Sequence, residues 1–469
     1  MKSKTKAIEL IDFRGGLNFT VPPENLEPNE LYFARNVEYD ALTGTLKRRP
    51  GLVRKIDTGV NLDIIHYSKS LNRFLISSGQ NFYEWNGIDP ILINIGTLSG
   101  AEKPKFVEFN GKVLIASGGH IQSYDGITFS TITSSPQADG ISKKNGRVVV
   151  WKTGNDNLYF SGIGDETNWN FSGTDSDAQY VEIGYKDNGD IVGVVPLSKD
   201  FVIFKSNAVV YRLVGDYPNW SVYEVSRNAL AVNKDCLKQV MNDVVFLDKA
   251  GLRSLSTVVE YGDIKQFELG AKVNPYLTPQ VEKEIARIWH NYKKNQIWVR
   301  TNNSSQVWVY YYPFKAWTIF DFYTKIEDMT IKDNDIYIAS GTKIFIFDDN
   351  ATKDDDIFIV EGLIGTKRFV SKNNAFVISA YGFTATAYTN SNVTIQIDKA
   401  SKNYDIFPQG DIAYSDSDIA ALDTDAVVSP MYAMKKQRQT LRVKEFSFKF
   451  IINQGSIGLN SVFAFVKEV

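Results

Sequence analysis

The sequence predicts an all-β protein built on a β-propeller of about six to eight blades, extended by an N-terminal arm, one inserted helix and a C-terminal β-sandwich-like domain. Three observations carry that prediction. A two-run apolar pattern recurs along the chain, its turns hold the residues tight reversals need, and only one stretch has a sustained helical period. The pattern appears as RFLISSGQNFYEWNG from Arg73, KVLIASGGHIQSYDG from Lys112, RVVVWKTGNDNLYFSG from Arg147 and DFVIFKSNAVVYRLVG from Asp200. It continues as DVVFLDKAGLRSLST from Asp243, QIWVRTNNSSQVWVYY from Gln296 and DIYIASGTKIFIFDD from Asp335. Each copy alternates like a strand, and turns such as SSGQN and ASGG supply Gly and Ser for positive φ and local hydrogen bonds. Start-to-start spacings of about 35 to 53 residues suit four-stranded propeller blades, and radial closure hides strand edges that would otherwise aggregate.

The elements follow in order. Residues 1–55 read as an extended arm, because a Gly pair, four prolines and the KRRPG ending interrupt any period of 2 or 3.6. Residues 56–350 hold the repeats and form the propeller. Within them, NPYLTPQVEKEIARIWHNY predicts the inserted helix: Thr278 caps it, Pro279 takes its first position, and Ile285, Ile288 and Trp289 share a face. The polar run DDNATKDDD marks a boundary, and residues 351–469 form a second β domain, a sandwich or jelly roll. There FVISAYGFTATAYTN, VTIQIDKA and LRVKEFSFKFIINQ alternate, with DSDIAALDTD as a loop between them.

Composition narrows the functional classes. The chain has 469 residues, 43% hydrophobic and 13% aromatic, which supports a large core. A formal charge of −2 lacks the basic excess of a protein that grips nucleic acid through many phosphates. The start MKSKTKAIELIDF lacks the apolar run of a signal peptide, and no stretch is long and apolar enough to span a membrane, so a soluble, cytoplasmically made chain is expected. Cys236 reads as a small core residue.

No Walker A, HExxH, CxxC or GxSxG motif is present, and His66, His120 and His290 lie far apart in sequence. SGIGDET around Gly162 lacks the third glycine of a dinucleotide loop. The carboxylates at Asp354, Asp355 and Asp356, and at Asp416, Asp418, Asp423 and Asp425, lack the Gly and terminal Glu of a calcium loop and read as solvated loops. SYDGITF, from Ser123 to Phe129, approximates the Asp-box turn of sialidase-like propellers, a structural device in which Asp accepts backbone hydrogen bonds. The expectation is a non-enzymatic protein with no catalytic, cofactor or metal residues.

Two basic runs stand out, Lys47, Arg48 and Arg49, and the stretch from Lys435 to Lys444 that includes Lys436 and Arg438. They read either as solvated loop charge or, if copies of the chain surround nucleic acid, as positive charge facing phosphates. Within the arm, Phe13, Leu17, Phe19 and Val21 are candidates to bury their apolar surface on a neighbouring subunit. The other reading has the arm wrap its own propeller, for instance closing the ring with a strand.

The arm, DFRGGLNFTVPPENL followed by ARNVEYDALTGTLKRRPG, resembles the start of hub or nozzle proteins from the tails of short-tailed bacteriophages, the group that includes packaged-DNA stabilisation proteins. GDIVGVVPLSKDFVIFKSNAVVYRLVG from Gly189, and NPYLTPQVEKEIARIWHNYKKNQIWV followed by WVYYYPFKAWTIFD, are similar to internal segments of the same family, so the likeness spans most of residues 8–350. The resemblance implies a structural virion protein in a homo-oligomeric ring, commonly a hexamer, stacked below portal and adaptor proteins. Its axial channel would hold double-stranded DNA and pass it without sequence specificity. The alternative expectation is a carbohydrate-binding or carbohydrate-cleaving propeller at the host surface.

Overall fold

The computed structural model describes residues 5–171, 173–197, 199–256, 268–372, 375–387, 392–398, 420–423, 431–454 and 457–468. The chain folds into a propeller-like cycle of small antiparallel sheets joined to a pair of larger ones. The first sheet contains Ile64–Ser68, Arg73–Ser78, Asn81–Trp85 and Ile93–Thr97, and the second contains Lys105–Phe109, Lys112–Ala116, Gln122–Tyr124 and Phe129–Thr131. The third begins at Gly140–Lys144, the fourth at Ile191–Leu197, the fifth at Leu237–Val240 and the sixth at Arg287–Asn291. In the seventh, Asp328–Lys332, Asp335–Ser340 and Lys343–Asp348 take their fourth strand from the N-terminal segment Gly51–Asp57.

Each predicted two-run repeat becomes the second and third strands of one sheet. The centres of the second strands, such as FLI, VLI and VVV, are apolar on both faces because neighbouring sheets cover both. Phe74 and Ile76 pack against Tyr337 and Ile344 of the seventh sheet, whereas Leu75 between them packs with Val113 and Ile115 of the second. The same alternation carries the core onward: Leu114 meets Ile141 and Val148, Val149 meets Phe201 and Ile203, and Val202 meets Val244 and Phe246. Val245 and Leu247 then join the cluster that holds Ile288, Trp298 and Ile338, so the cycle closes on itself. Full burial of one such side chain contributes about 1.5–3 kcal/mol.

The C-terminal strands form two sheets packed face to face across Phe376, Phe383, Phe446 and Phe450. One contains Phe376–Ala387, Met431–Val443 and Ile457–Glu468. The other contains Gly362–Thr366, Glu445–Gln454, Asn392–Asp398 and Ala420–Asp423, the last falling inside the segment expected to be a loop.

The N-terminal segment is not a free arm. Lys6–Leu10 pairs with Ile457–Glu468, Leu46–Arg48 joins the same sheet, and Glu30–Arg35 lies between Gly362–Thr366 and the sixth sheet's last strand, Ala316–Asp321. It therefore stitches the ring to the C-terminal sheets and closes the seventh sheet.

The predicted helix is also corrected. Within the predicted span Asn274–Leu277 alone is α-helical, followed by a 3-10 turn over Thr278–Gln280. Arg287–Asn291 is a strand, with Trp289 opposite Trp298 of Gln296–Arg300. Pro279 cannot donate the hydrogen bond a continuing helix needs, and Ile288 and Trp289 bury better in the sixth sheet than on an isolated helix face. No helix among the described residues is long and apolar enough to cross a membrane.

Candidate functional sites along the ring axis

The first strands of the sheets face the axis. Those of the seventh and first sheets run in the same direction, because Asp328 Oδ2 accepts from Ile65 N at 3.1 Å and Thr330 Oγ1 accepts from Tyr67 N at 3.1 Å. First-strand starts therefore rim one mouth of the axis and their ends rim the other.

Side chains bridge the starting mouth. Asp235, in the 3-10 turn before the fifth sheet, pairs with Lys105 at the start of the second. Beside it, Lys234 Nζ lies 2.7 Å from Glu102 Oε2 and 3.1 Å from Asp139 Oδ2, at the approaches to the second and third sheets. Arg287 pairs with Asp328 at 3.3 Å, and Trp289 Nε1 donates to the same oxygen at 2.8 Å. Burial alone would raise the Asp235 carboxyl, but Lys105 and Arg287 hold it well below the usual carboxylate range. Burial, reinforced by Lys105 and Arg287, brings the Lys238 ammonium down to about 8. Farther in, the His66 imidazole stacks on Phe106 with centroids 4.5 Å apart, and burial lowers it to about 4.

At the opposite mouth, Asn110-Gly111 and Asn145-Gly146 turn the first strand into the second in the second and third sheets, all four residues at positive φ. These turns, with Pro196, Lys199 and Asp200 of the fourth sheet, border a cavity of about 640 Å³ that Lys143 and Lys144 also line.

The predicted basic run at the arm's end is a buried joint. Arg49 is 1% exposed and forms a bidentate pair with Asp354 at 2.7 and 3.0 Å. Arg48 is buried and donates to the Ala351 carbonyl at 3.0 Å, and burial beside Arg49 lowers its guanidinium to about 10. Lys47 lies 3.4 Å from Glu38. Arg48 and Arg49 therefore present no charge to a phosphate backbone, which corrects the channel assignment for this pair. Asp354 and Asp355 are likewise buried, not solvated, and Asp355 pairs with Lys343 at 2.6 Å. Lys435, Lys436 and Arg438 fall on the strand Met431–Val443, opposite Phe383, Gly382 and Ala380, and their side chains lie outside the described residues. Asp416, Asp418 and Asp425 lie outside them too. Among the described residues no cluster of potential metal ligands occurs.

The candidate intersubunit residues largely pack within their own chain. Phe13 and Leu17 are 3% and 1% exposed, and Phe13 meets Phe450 edge-on at 6.4 Å. Phe19 packs on Tyr276 and Trp308, and only Val21 is exposed. Burial on a neighbour is thus corrected for Phe13, which finds its partner in the C-terminal sheets, and for Leu17, which pairs with Leu31 of Glu30–Arg35.

The Asp-box reading matches the local geometry. Asp125 Oδ1 accepts from Ile127 N at 2.9 Å and Thr128 N at 2.7 Å, Gly126 has φ +95°, and Phe129 packs against Phe82. A second copy went unread in WNGID: Asn86 Oδ1 accepts from Ile88 N and Asp89 N, both at 2.9 Å, with Gly87 at φ +87°. Cys236 is buried, and burial raises its thiol well above the ordinary value. The axial charges were missed because they stand at or just before the starts of first strands in different sheets, where no local pattern links the partners. The Asn-Gly pairs of FNGK and KNGR were the readable signal for the other mouth.

No protein-family profile and no curated protein matches the chain. Among solved structures it is similar to the computationally designed Ika8 protein, at 12% identity and a TM-score of 0.40, over 63% of this chain and 99% of that one. It is also similar to BamB from Moraxella catarrhalis, at 10% identity and 0.39, over 66% and 93%. The extracellular domain of a protein described as a one component system from B. thetaiotaomicron shares 11% identity at 0.45, over 91% and 67%.

Proposed function

We propose that this chain is a structural virion protein of a short-tailed phage: a seven-bladed propeller carrying a C-terminal sandwich. Copies assemble as a hexameric hub or nozzle ring below the portal and adaptor, holding the packaged genome and passing DNA during ejection. The observation that carries this reading is the role of the segment in which the resemblance resides. Gly15 and Gly16 sit where a Cβ would approach Asn29 O at 2.5 Å and Trp317 N at 2.7 Å, and Arg49 ties the segment to Asp354. The shared GG and R-P-G features are therefore fixed by the joint between ring and sandwich, as expected of a building block.

Two consequences follow for the assembly. An opening bridged by Lys105–Asp235 and Lys234–Glu102 does not admit a duplex, so DNA runs along the symmetry axis between subunits and not through each propeller. With Phe13 and Leu17 buried at home, subunit contacts fall to exposed apolar surface such as Ile357, Phe358 and Ile359, which are 67%, 49% and 63% exposed on a short hairpin. The functional test is genome retention. Particles assembled without this chain should package DNA and then lose it, whereas particles that keep their DNA would refute the role.

A further inference from the structure

We propose that the cavity at the end-strand mouth of the axis binds a phosphate-class oxyanion, a function beyond the ring role and independent of it. The cavity occupies about 640 Å³, within the size range of small-molecule clefts and far too small for a duplex. Its bordering charges are Lys143, Lys144, Lys199, Glu108 and Asp200.

The two acids are already committed. Glu108 Oε1 accepts from Ser68 Oγ at 2.9 Å, Lys69 N at 2.7 Å and Ser70 N at 3.1 Å. Asp200 Oδ2 accepts from Arg212 Nε at 2.8 Å and Nη2 at 2.6 Å. The lysines have no carboxylate among their hydrogen-bond or ion-pair partners. Lys143 Nζ donates to the Glu108 carbonyl at 3.0 Å and Lys144 Nζ to the Lys199 carbonyl, which leaves donors on each ammonium unused. Within the lining three lysines face two acids, an excess of one positive charge, and Arg212 neutralises Asp200 from outside it while Asn145 donates to Asp216.

That excess is partly buried. Lys144 is only 9% exposed, with its ammonium 5.8 Å from the centre of the Phe201 ring. A buried ammonium without an anion is costly, and a dianion with several acceptor oxygens answers both the charge and the unused donors. Lysines act on phosphate as point charges and need no bidentate fork. The chain as a whole carries −2, so this excess is local to the mouth.

The test is isothermal titration of the full-length chain with orthophosphate, glycerol phosphate and a 5′-phosphorylated dinucleotide. Saturable binding of one equivalent per chain is expected, weakened at least tenfold in the Lys143→Gln/Lys199→Gln variant and reduced by added salt. Equal affinity for the three ligands identifies a free-ion site, and tighter binding of one ester identifies the source of the phosphate group. Lys143 and Lys199 are exposed, so the variant should keep the wild-type melting temperature, whereas Lys144→Gln serves only as a third measurement if it folds. Absence of saturable binding to any of the three ligands, or a double variant that binds like wild type, would overturn the proposal.

Discussion

Replacing Arg49 with Ala removes the best-connected side chain of the joint. All five of its N–H groups are used: Nε donates to Asn36 Oδ1 at 2.9 Å, Nη1 to the Pro50 carbonyl and Asp354 Oδ1, and Nη2 to the Asp321 carbonyl and Asp354 Oδ2. The guanidinium also lies 4.3 Å from the Phe322 ring centre. Without it, Asp354 remains 2% exposed with the Leu52 N–H as its remaining donor, an unpaired buried carboxylate. Breaking a buried ion pair from one side costs about 3–5 kcal/mol, whereas replacing both partners with apolar groups is often near neutral. Arg49→Ala should therefore lose about 4 kcal/mol, and Arg49→Met combined with Asp354→Leu should recover most of it. Urea unfolding followed by tryptophan fluorescence reads the region directly, since Trp298, Trp308 and Trp317 lie in the adjoining sixth sheet. A loss below about 1 kcal/mol for Arg49→Ala, or a double variant as unstable as the single one, would refute the reasoning.

Three further outcomes are expected. Because burial lowers His66 from 6.5 to about 4, the unfolded chain takes up its proton first as pH falls, so this stability is whole above pH 6.5 and is lost between pH 6.5 and 4, by up to about 3 kcal/mol. The difference in unfolding free energy between wild type and His66→Phe should be constant above pH 6.5 and shift against the wild type below it; a difference independent of pH throughout would contradict the burial argument. Gly16→Ala places a Cβ 2.7 Å from Trp317 N at φ +66°, and should destabilise the joint by at least about 1 kcal/mol in thermal melts, an effect that an unchanged melting temperature would exclude. Ile357→Asp with Ile359→Asp should leave the monomer's melting unchanged and abolish ring assembly, and rings of normal mass would move the subunit contact elsewhere.

The repeats were legible because each central strand pair carries apolar residues on both faces, a pattern that survives without knowledge of its neighbours. FLIS, VLIA and FVIF announce themselves. The segment Ile285–Trp289 was misread because a short apolar run fits a helix face and a doubly buried strand equally well, and only the hairpin partner at Gln296–Arg300 decides. The arm was opaque for another reason: Lys6 pairs with Val466 and Leu31 with Thr366, partners hundreds of residues away that no local period reveals. Charge was the least readable property. Arg48 and Arg49 look like a surface cluster in sequence, yet both are buried, whereas the cavity is bordered by the pair Lys143-Lys144 of one sheet and Lys199 of the next, which are brought together only by the fold.

The central claim is assembly into a ring at the portal vertex, and mass and shape test it most directly. Light scattering with negative-stain microscopy of the purified chain, alone and mixed with a portal and adaptor complex, should show a six-subunit ring with an axial hole, either free or on that template. A monomer that stays monomeric in the presence of the template would contradict the account.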